Sequence, residues 1–158
     1  MKASYVFYFI LTITLICCKQ KSDSINKNQI DLEIRQMFGD YHNDIKSKGL
    51  EAEFKYLDDS PDFFWIPPGY ESALTYDSVK SILLSNSKII HSIAFSWDTL
   101  QVFPLTSTIA NYSGIVNGVM IDSSASKSEF KILESGTLIK RNDGWKLLSG
   151  QSRNLLKL

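Results

Sequence analysis

The hydrophobic positions of this 158-residue chain follow three different patterns along its length. Residues 5–16 form an almost uninterrupted apolar run, broken only by Thr12 and Thr14. Between residues 29 and 88, apolar residues recur at spacings of three and four, which is typical of amphipathic helices. After Lys88, apolar and polar residues alternate, which is typical of strands with one buried face. The pattern therefore predicts helices first and a sheet second.

A stripe of apolar residues predicts a first helix that begins near Asn28 and ends before Gly49. Asn28 is a residue type that caps helix N-termini, and a glycine preceded by lysines is typical of helix C-termini. The stripe recurs at helical spacing through Ile30, Ile34, Met37, Phe38, Tyr41 and Ile45. One face of this helix is therefore expected to pack on a core.

Two further helices and a short strand are predicted before Lys88. Apolar residues at positions 50, 54 and 57 have helical spacing and predict a second helix that stops at residues 58–61. Thr75 can cap a third helix, with Asp77 in its first turn. The aromatic run 62–66 lies between these helices and ends at two prolines and a glycine, so it predicts a short strand.

Four long strands are predicted in the second half of the chain, at 89–103, 107–121, 127–141 and 145–151 or slightly beyond. Short turns join them, and the clearest is Asn142-Asp143-Gly144, whose residue types tolerate positive φ. Consecutive strands joined by short turns pair in an antiparallel manner. Helices followed by such a sheet predict an α+β domain.

The N-terminal apolar run indicates export of the chain. It follows a charged tip at Lys2 and spans about twelve residues, whereas a membrane-crossing helix needs roughly 20. The junction Leu15-Ile16-Cys17-Cys18 resembles a bacterial lipobox. We therefore expect residues 1–17 to be a signal peptide, Cys18 to carry a lipid, and residues 18–28 to form a flexible tether. The α+β domain then covers 29–158, at the cell envelope.

Composition narrows the chemistry of that domain. The only cysteines are Cys17 and Cys18, so the domain has no disulfide and no cysteine nucleophile. The chain has 17 basic and 17 acidic side chains, and loss of Lys2 with the signal peptide leaves one net negative charge. Such a balance offers no basic face for nucleic acid. Nucleic acid is therefore not an expected partner, whereas the lipid on Cys18 implies the membrane as one.

The order of the predicted elements resembles the nuclear transport factor 2-like superfamily, in particular its SnoaL-like bacterial domains. The segments that carry the resemblance are Phe64-Trp65-Ile66-Pro67-Pro68-Gly69, Tyr112-Ser113-Gly114 and residues 140–148. The resemblance implies a cone of three N-terminal helices packed on a curved antiparallel sheet, with a pocket at its open end. It also implies a homodimer in which the outer faces of the long strands meet. Because the fold hosts isomerases, cyclases, dehydratases, binding modules and assembly domains, it does not select a function.

Two acidic residues on the predicted strands are candidates for proton transfer. Glu134 shares a strand face with the apolar Phe130, Ile132 and Leu138, where burial would raise its pKa. The alternative is a bulge near Gly136 that turns Glu134 toward solvent. Asp98 is the second candidate, since the ketosteroid-isomerase branch of the superfamily uses an Asp base. Alternation nevertheless places Asp98 on the more polar face of its strand.

Aromatic and amide side chains are candidates for ligand contacts in the implied pocket. Trp65, Tyr70, Trp97 and Tyr112 either line it or pack in the core, and core packing is the stronger interpretation for Trp97. Relatives often carry histidines at the positions of Ser149 and Gln151, directed into the pocket. Gln151 can bind a polar group but cannot act as a general base.

The two histidines of the chain do not predict a metal site. His42 lies beside Tyr41, off the apolar stripe, and is interpreted as a surface residue. His91 is interpreted as a residue at the edge of the core. Without a cysteine in the domain or a second histidine nearby, no metal is expected. No phosphate-binding glycine loop or serine nucleophile motif is present either, so no cofactor is expected.

These observations leave a preferred function and two alternatives. The preferred one is a lipid-anchored envelope protein that binds a small apolar or amphipathic ligand in its cone, because no convincing acid and base pair is evident. The first alternative is a cofactor-independent isomerase or dehydratase, with Glu134 or Asp98 as base and Tyr112 as hydrogen-bond donor. The second alternative is a dimerisation or assembly module.

We expect Cys18→Ala to abolish labelling of the protein in cells by an alkyne-bearing fatty acid, because the thioether that carries the lipid cannot form. Cys17→Ala is the matched control, since it keeps a small residue before Cys18 and should retain the label. Gel fluorescence after coupling a dye to the alkyne measures both. Wild-type labelling of the Cys18→Ala variant would show that the lipobox interpretation is wrong.

Overall fold

The computed structural model describes residues 25–155, so the predicted signal peptide and the lipid site at Cys18 lie outside the described residues. Two α-helices, one short 3₁₀ helix and five strands make up the described part. In chain order they are α1 (Lys27–Lys48), the 3₁₀ helix (Leu50–Lys55), β1 (Phe64–Ile66), α2 (Tyr76–Asn86), β2 (Ile90–Pro104), β3 (Ile109–Asp122), β4 (Lys127–Arg141) and β5 (Gly144–Asn154). Within residues 25–155 no helix is both long and apolar enough to cross a membrane.

The helices differ from the sequence predictions in two details. Helix α1 begins at Lys27 because Asn26, not Asn28, is its cap, and the Asn26 side chain accepts a hydrogen bond from the Gln29 amide at 3.1 Å. The predicted second helix is a 3₁₀ helix that ends at Lys55, because the chain beyond it leaves to bridge Leu57 with Leu147 of β5.

The five strands form one sheet in the order β1-β5-β4-β3-β2. The four long strands pair as the antiparallel meander that their short turns predict. Strand β1, whose place in the sheet the sequence pattern does not predict, pairs in parallel with β5, so the sheet is mixed at this edge. The α+β class is confirmed, with the helices packed on one face of the sheet.

Three register shifts interrupt the long strands. One lies at His91 near the start of β2, and the other two are bulges that change which side chains face the helices. In β2, Asp98 is unpaired between Trp97 and Thr99, and in β5, Leu148 is unpaired between Leu147 and Ser149. An unpaired residue bends the strand and reverses its alternation of faces. Trp145 and Leu147 therefore face the helices before the second bulge, and Ser152 does so after it.

Helix α1 provides most of the helical contribution to the core. Its predicted stripe is buried at all six positions, from Ile30 to Ile45. The ring of Phe38 lies 5.0 Å from that of Trp97 and 4.9 Å from that of Tyr112, measured between centroids. Edge and tilted ring contacts of this kind add to the hydrophobic contribution of burial. The α1 helix is thereby held against β2 and β3.

Two carboxylates, one on α1 and one in the segment after the 3₁₀ helix, form hydrogen bonds with the β4–β5 hairpin. The buried Asp58 carboxylate accepts hydrogen bonds from both Nε and Nη2 of Arg141, at 2.7 and 2.8 Å. Glu33 of α1 accepts from Lys140 at 2.7 Å and from the indole of Trp145 at 3.0 Å. These donors lower the pKa of Glu33 to about 2. The carboxylates thus remain ionised and hold the hairpin in place.

Candidate functional site

A cavity of about 250 Å³ lies between the inner face of the sheet and the helices. Both α-helices, the 3₁₀ helix and all five strands contribute side chains to its wall. Its side chains are mostly apolar or aromatic: Tyr41, His42, Glu53, Leu57, Phe63, Trp65, Pro67, Pro68, Val79, Ile82, Leu83, Asn86, Phe95, Val116, Phe130, Ile132, Glu134, Leu147, Ser152 and Asn154. An apolar concavity with a few polar groups is the usual form of a small-molecule site.

Glu134 is the acidic group that β4 presents to this cavity. It follows Phe130 and Ile132 on the same strand face, as alternation predicts, and β4 pairs with β3 without a bulge. The Tyr112 hydroxyl donates a hydrogen bond to Glu134 Oε1 at 2.7 Å. Burial raises the pKa of Glu134 to about 7, against the opposing effect of this hydrogen bond. Glu134 can therefore exchange a proton near neutral pH.

Tyr112 supports Glu134 from behind the cavity wall. Its side chain is 1% exposed, and burial next to Glu134 raises its pKa well above the usual value, so the phenol stays protonated. Gly136, which pairs with Tyr112, leaves room for the ring, because a Cβ there would collide with the Ser149 carbonyl oxygen and contact the phenol. Tyr112 therefore acts through Glu134 and does not reach the cavity itself.

Glu53 is a second acidic group in the same cavity. Burial raises its pKa to about 7, and a hydrogen bond with the Tyr41 hydroxyl opposes that shift. Repulsion between the two carboxylates contributes to the raised pKa of Glu134. Each carboxyl group therefore has a buried tyrosine as its partner, and ionising one disfavours ionising the other.

His42 also lines the cavity, which corrects its interpretation as a surface residue. Its ring lies 5.9 Å from that of Phe95 and 5.7 Å from that of Trp97. Burial lowers the pKa of His42 to about 4, so the imidazole is neutral at pH 7. A neutral imidazole can donate or accept one hydrogen bond to a ligand.

The other predicted site residues lie in different places. Trp65 lines the cavity. Trp97 packs against Phe38 and His42 and does not line the cavity, and its indole Nε1 is buried without a partner among the described residues. Tyr70 is 45% exposed on the loop after β1. Gln151 faces the outer side of the sheet because the β5 bulge reverses the alternation, and it shares a groove there with Ser149.

Asp98 lies on the outer face of the sheet. Its side chain is 43% exposed and pairs with Lys131 at 3.3 Å. The β2 bulge leaves Asp98 itself unpaired in the ladder. Since Asp98 is outside the cavity, the structure gives it no contact with Glu134 or with the space a ligand would occupy.

Sequence reasoning missed Glu53, Tyr41 and His42 as site residues. In a 3₁₀ helix, side chains three positions apart share a face, so Glu53 lies with the buried Leu50 and Tyr56. The sequence analysis assumed α-helical spacing through positions 50, 54 and 57, and so did not place Glu53 on the buried face. The position of His42 could have been predicted from the sequence, because it follows the buried Phe38 by four positions on α1 and residues at that spacing share a helix face.

A metal site is not evident in the described part of the chain. Residues 25–155 contain no group of three or more His, Cys, Asp or Glu side chains placed to hold a metal ion.

Solved structures with the same fold share little sequence with this chain. A nuclear transport factor 2-like superfamily protein from Salmonella enterica serovar Typhimurium has a TM-score of 0.68 at 15% identity, over 82% of this chain and 94% of that protein. A ketosteroid isomerase-like protein from Erwinia carotovora has a TM-score of 0.62 at 16% identity, over 80% of this chain and 96% of that protein.

A protein proposed to be a scytalone dehydratase, from Novosphingobium aromaticivorans, has a TM-score of 0.67 at 15% identity, over 82% of this chain and 87% of that protein. No family model and no curated protein matches the sequence. At such identities the likeness shows the fold, and the function must be argued from the cavity.

Replacement of Glu134 by Gln should stabilise the fold increasingly as the pH rises. The folded-state pKa of Glu134 is about 7, above the ordinary 4.5, so wild type loses stability as pH climbs from 4.5 through 7. Gln keeps the volume and does not titrate. We expect the stability difference to grow by about 2–3 kcal/mol over that range and then level off.

Thermal or urea denaturation between pH 4 and pH 8 measures this difference. Asp98→Asn is the matched control, since it removes an exposed carboxylate outside the cavity. A pH-independent difference for Glu134→Gln would contradict the burial of this carboxyl group.

Proposed function

We propose that this protein, whose fold is that of the nuclear transport factor 2-like superfamily, binds a small and largely apolar ligand that carries one polar group. The observation that supports the proposal is the cavity, which is walled by aromatic and aliphatic side chains and holds two carboxyl groups. A volume of about 250 Å³ suits a ligand of one or two rings. Burial of its apolar part supplies affinity, and the polar groups orient it.

The lipid anchor adds a location to this proposal. The lipobox-like junction before Cys18 and the short apolar run support attachment to a membrane of the bacterial envelope. Helix α1 begins at Lys27, so only a few residues separate the proposed lipid from the domain. The domain that contains the cavity would then be tethered to a bilayer, where amphipathic molecules concentrate.

The homodimer implied by the resemblance is part of the same proposal. The outer groove of the sheet carries the exposed Phe64 beside Ser149 and Gln151. A second copy of this face would cover that apolar side chain in an isologous contact. Dimerisation would leave the cavity, on the opposite face of the sheet, open to its ligand.

We expect native mass spectrometry of the protein purified from its own membranes to show a non-covalent adduct of a few hundred daltons or less. Ile82→Trp should remove the adduct, because Ile82 of α2 lines the cavity and a larger ring would fill it. Leu84→Trp is the matched control, since Leu84 lies on the same helix, is 37% exposed and does not line the cavity.

Loss of the adduct in both variants would contradict this location of the site. An adduct retained in Ile82→Trp would also contradict this location of the site, because the larger side chain should fill the cavity. Melting temperatures of the two variants distinguish a filled cavity from an unfolded domain.

A second candidate function is cofactor-independent proton transfer, as in an isomerase or a dehydratase. It is favoured by the two carboxyl groups with pKa values of about 7 in one apolar cavity. Near neutral pH such a pair holds roughly one proton between its members. Glu134 as carboxylate can accept a proton from a substrate carbon while protonated Glu53 donates a hydrogen bond to the developing oxyanion. Tyr112 positions Glu134 in this scheme.

If this candidate is right, wild-type protein in deuterium oxide should accelerate deuterium uptake at the α-carbon of a small ketone such as phenylacetone. Glu134→Gln should lower the rate about a hundredfold or more, because the base is lost. Asp98→Asn should leave it unchanged. Proton NMR follows the exchange. Equal rates for wild type and Glu134→Gln would exclude Glu134 as the base.

A further inference from the structure

The cavity has an unusual balance of charge. Two carboxyl groups, Glu53 and Glu134, line it, while no lysine or arginine among residues 25–155 does. The nearby Lys55 is directed outward, where it pairs with Asp44 at 3.2 Å and lies over the Tyr56 ring. His42, the remaining basic group on the wall, is neutral because burial lowers its pKa to about 4. The structure therefore supplies no counter-charge for either carboxylate.

The walls around these acids are aromatic. Tyr41, Phe63, Trp65, Phe95 and Phe130 present rings to the same space. The face of an aromatic ring attracts a cation that has been withdrawn from water, and tryptophan and tyrosine do so most strongly. A ring wall with carboxylates but no lysine or arginine is thus complementary to positive charge and unfavourable to negative charge.

We propose that the ligand of this cavity is a small organic cation, an apolar amine that is protonated at neutral pH. The inference rests on the ligand-binding function proposed above and adds the chemical class of the ligand. Its ammonium group would lie between Glu53 and Glu134, and its apolar part would contact the aromatic walls. Anionic ligands such as fatty acids are disfavoured, because they would add a third negative group to a cavity without a cation.

Binding of a cation should be coupled to deprotonation of the acid pair. In the empty cavity burial raises the pKa of both Glu53 and Glu134 to about 7. The groups that face them are Tyr41 and His42 of α1 and Tyr112 of β3, and none of these gains or loses a proton between pH 6 and pH 8. An ammonium ion stabilises the carboxylates, so its affinity should rise with pH through this range. A neutral ligand should show no such rise.

Three probes of similar shape test the proposal: phenylethylamine, phenylethanol and phenylpropanoate. Isothermal titration calorimetry on the wild-type domain at pH 8 should show the amine binding most tightly and the carboxylate most weakly. At pH 6 the preference for the amine over the alcohol should shrink. Calorimetry in two buffers of different ionisation enthalpy should show proton release on amine binding at pH 6.

Glu134→Gln and Glu53→Gln should each weaken amine binding at pH 8 by about 30-fold, because each removes one member of a buried charge pair. Each should change the affinity for phenylethanol by no more than about threefold, which also shows that the variant is folded. Asp98→Asn, which removes a carboxylate on the outer face of the sheet, should leave the affinity for all three probes unchanged.

The outcomes separate this inference from the function on which it rests. Equal binding of amine and alcohol, or preference for the carboxylate, would overturn the cationic ligand and leave the binding function standing. Failure of all three probes to bind, together with no adduct in native mass spectrometry, would overturn the binding function itself. Amine binding that both Gln variants leave unchanged would place the cation away from the acid pair and overturn the proposal.

Discussion

The packing of α1 into the concave face of the sheet is the constraint on which the rest of this structure depends. The ring of Phe38 packs against the rings of Trp97 and Tyr112, which also contact each other at 6.0 Å between centroids, and so holds the helix over β2 and β3. The buried stripe of α1 covers one part of the concavity, and the shorter helices close over the other part without filling it. The cavity is therefore the part of the space between sheet and helices that the buried side chains do not fill. Its acids are buried because α1 also brings Tyr41 and His42 to its wall.

Keeping two carboxyl groups in that cavity costs stability. Their raised pKa values show that the folded environment disfavours the charged form, in contrast to Glu33 and Asp58, whose donors hold them ionised at the junction with the β4–β5 hairpin. The same protein thus uses carboxylates in two ways. Those with cationic partners join elements of the fold, and those without them remain able to respond to a ligand or to exchange a proton. Groups retained at a cost to stability are commonly functional ones.

The fold accounts for the shape of the cavity but not for its chemistry. Positions 149 and 151 hold Ser and Gln, and the β5 bulge turns both toward the outer face. The polar groups that face the interior come instead from β4, the 3₁₀ helix and α1. Chains with this fold can therefore carry unrelated chemistry on the same frame, since a few side-chain identities and one bulge decide which groups meet.

Local patterns in the sequence were enough to determine the α+β class, the stripe of α1, the Thr75 cap of α2 and the bounds of the four long strands to within a few residues. They also identified the face that Glu134 shares with Phe130 and Ile132, because alternation along one unbulged strand is a short-range property. Only the tertiary structure decided that β1 joins the sheet in parallel, that Glu53 and His42 meet Glu134, and that Asp98 and Gln151 do not. These relations depend on bulges, on a 3₁₀ rather than an α-helical turn, and on contacts between residues far apart in the chain. Periodicity reports how a segment repeats, whereas a binding site depends on where separate segments come together.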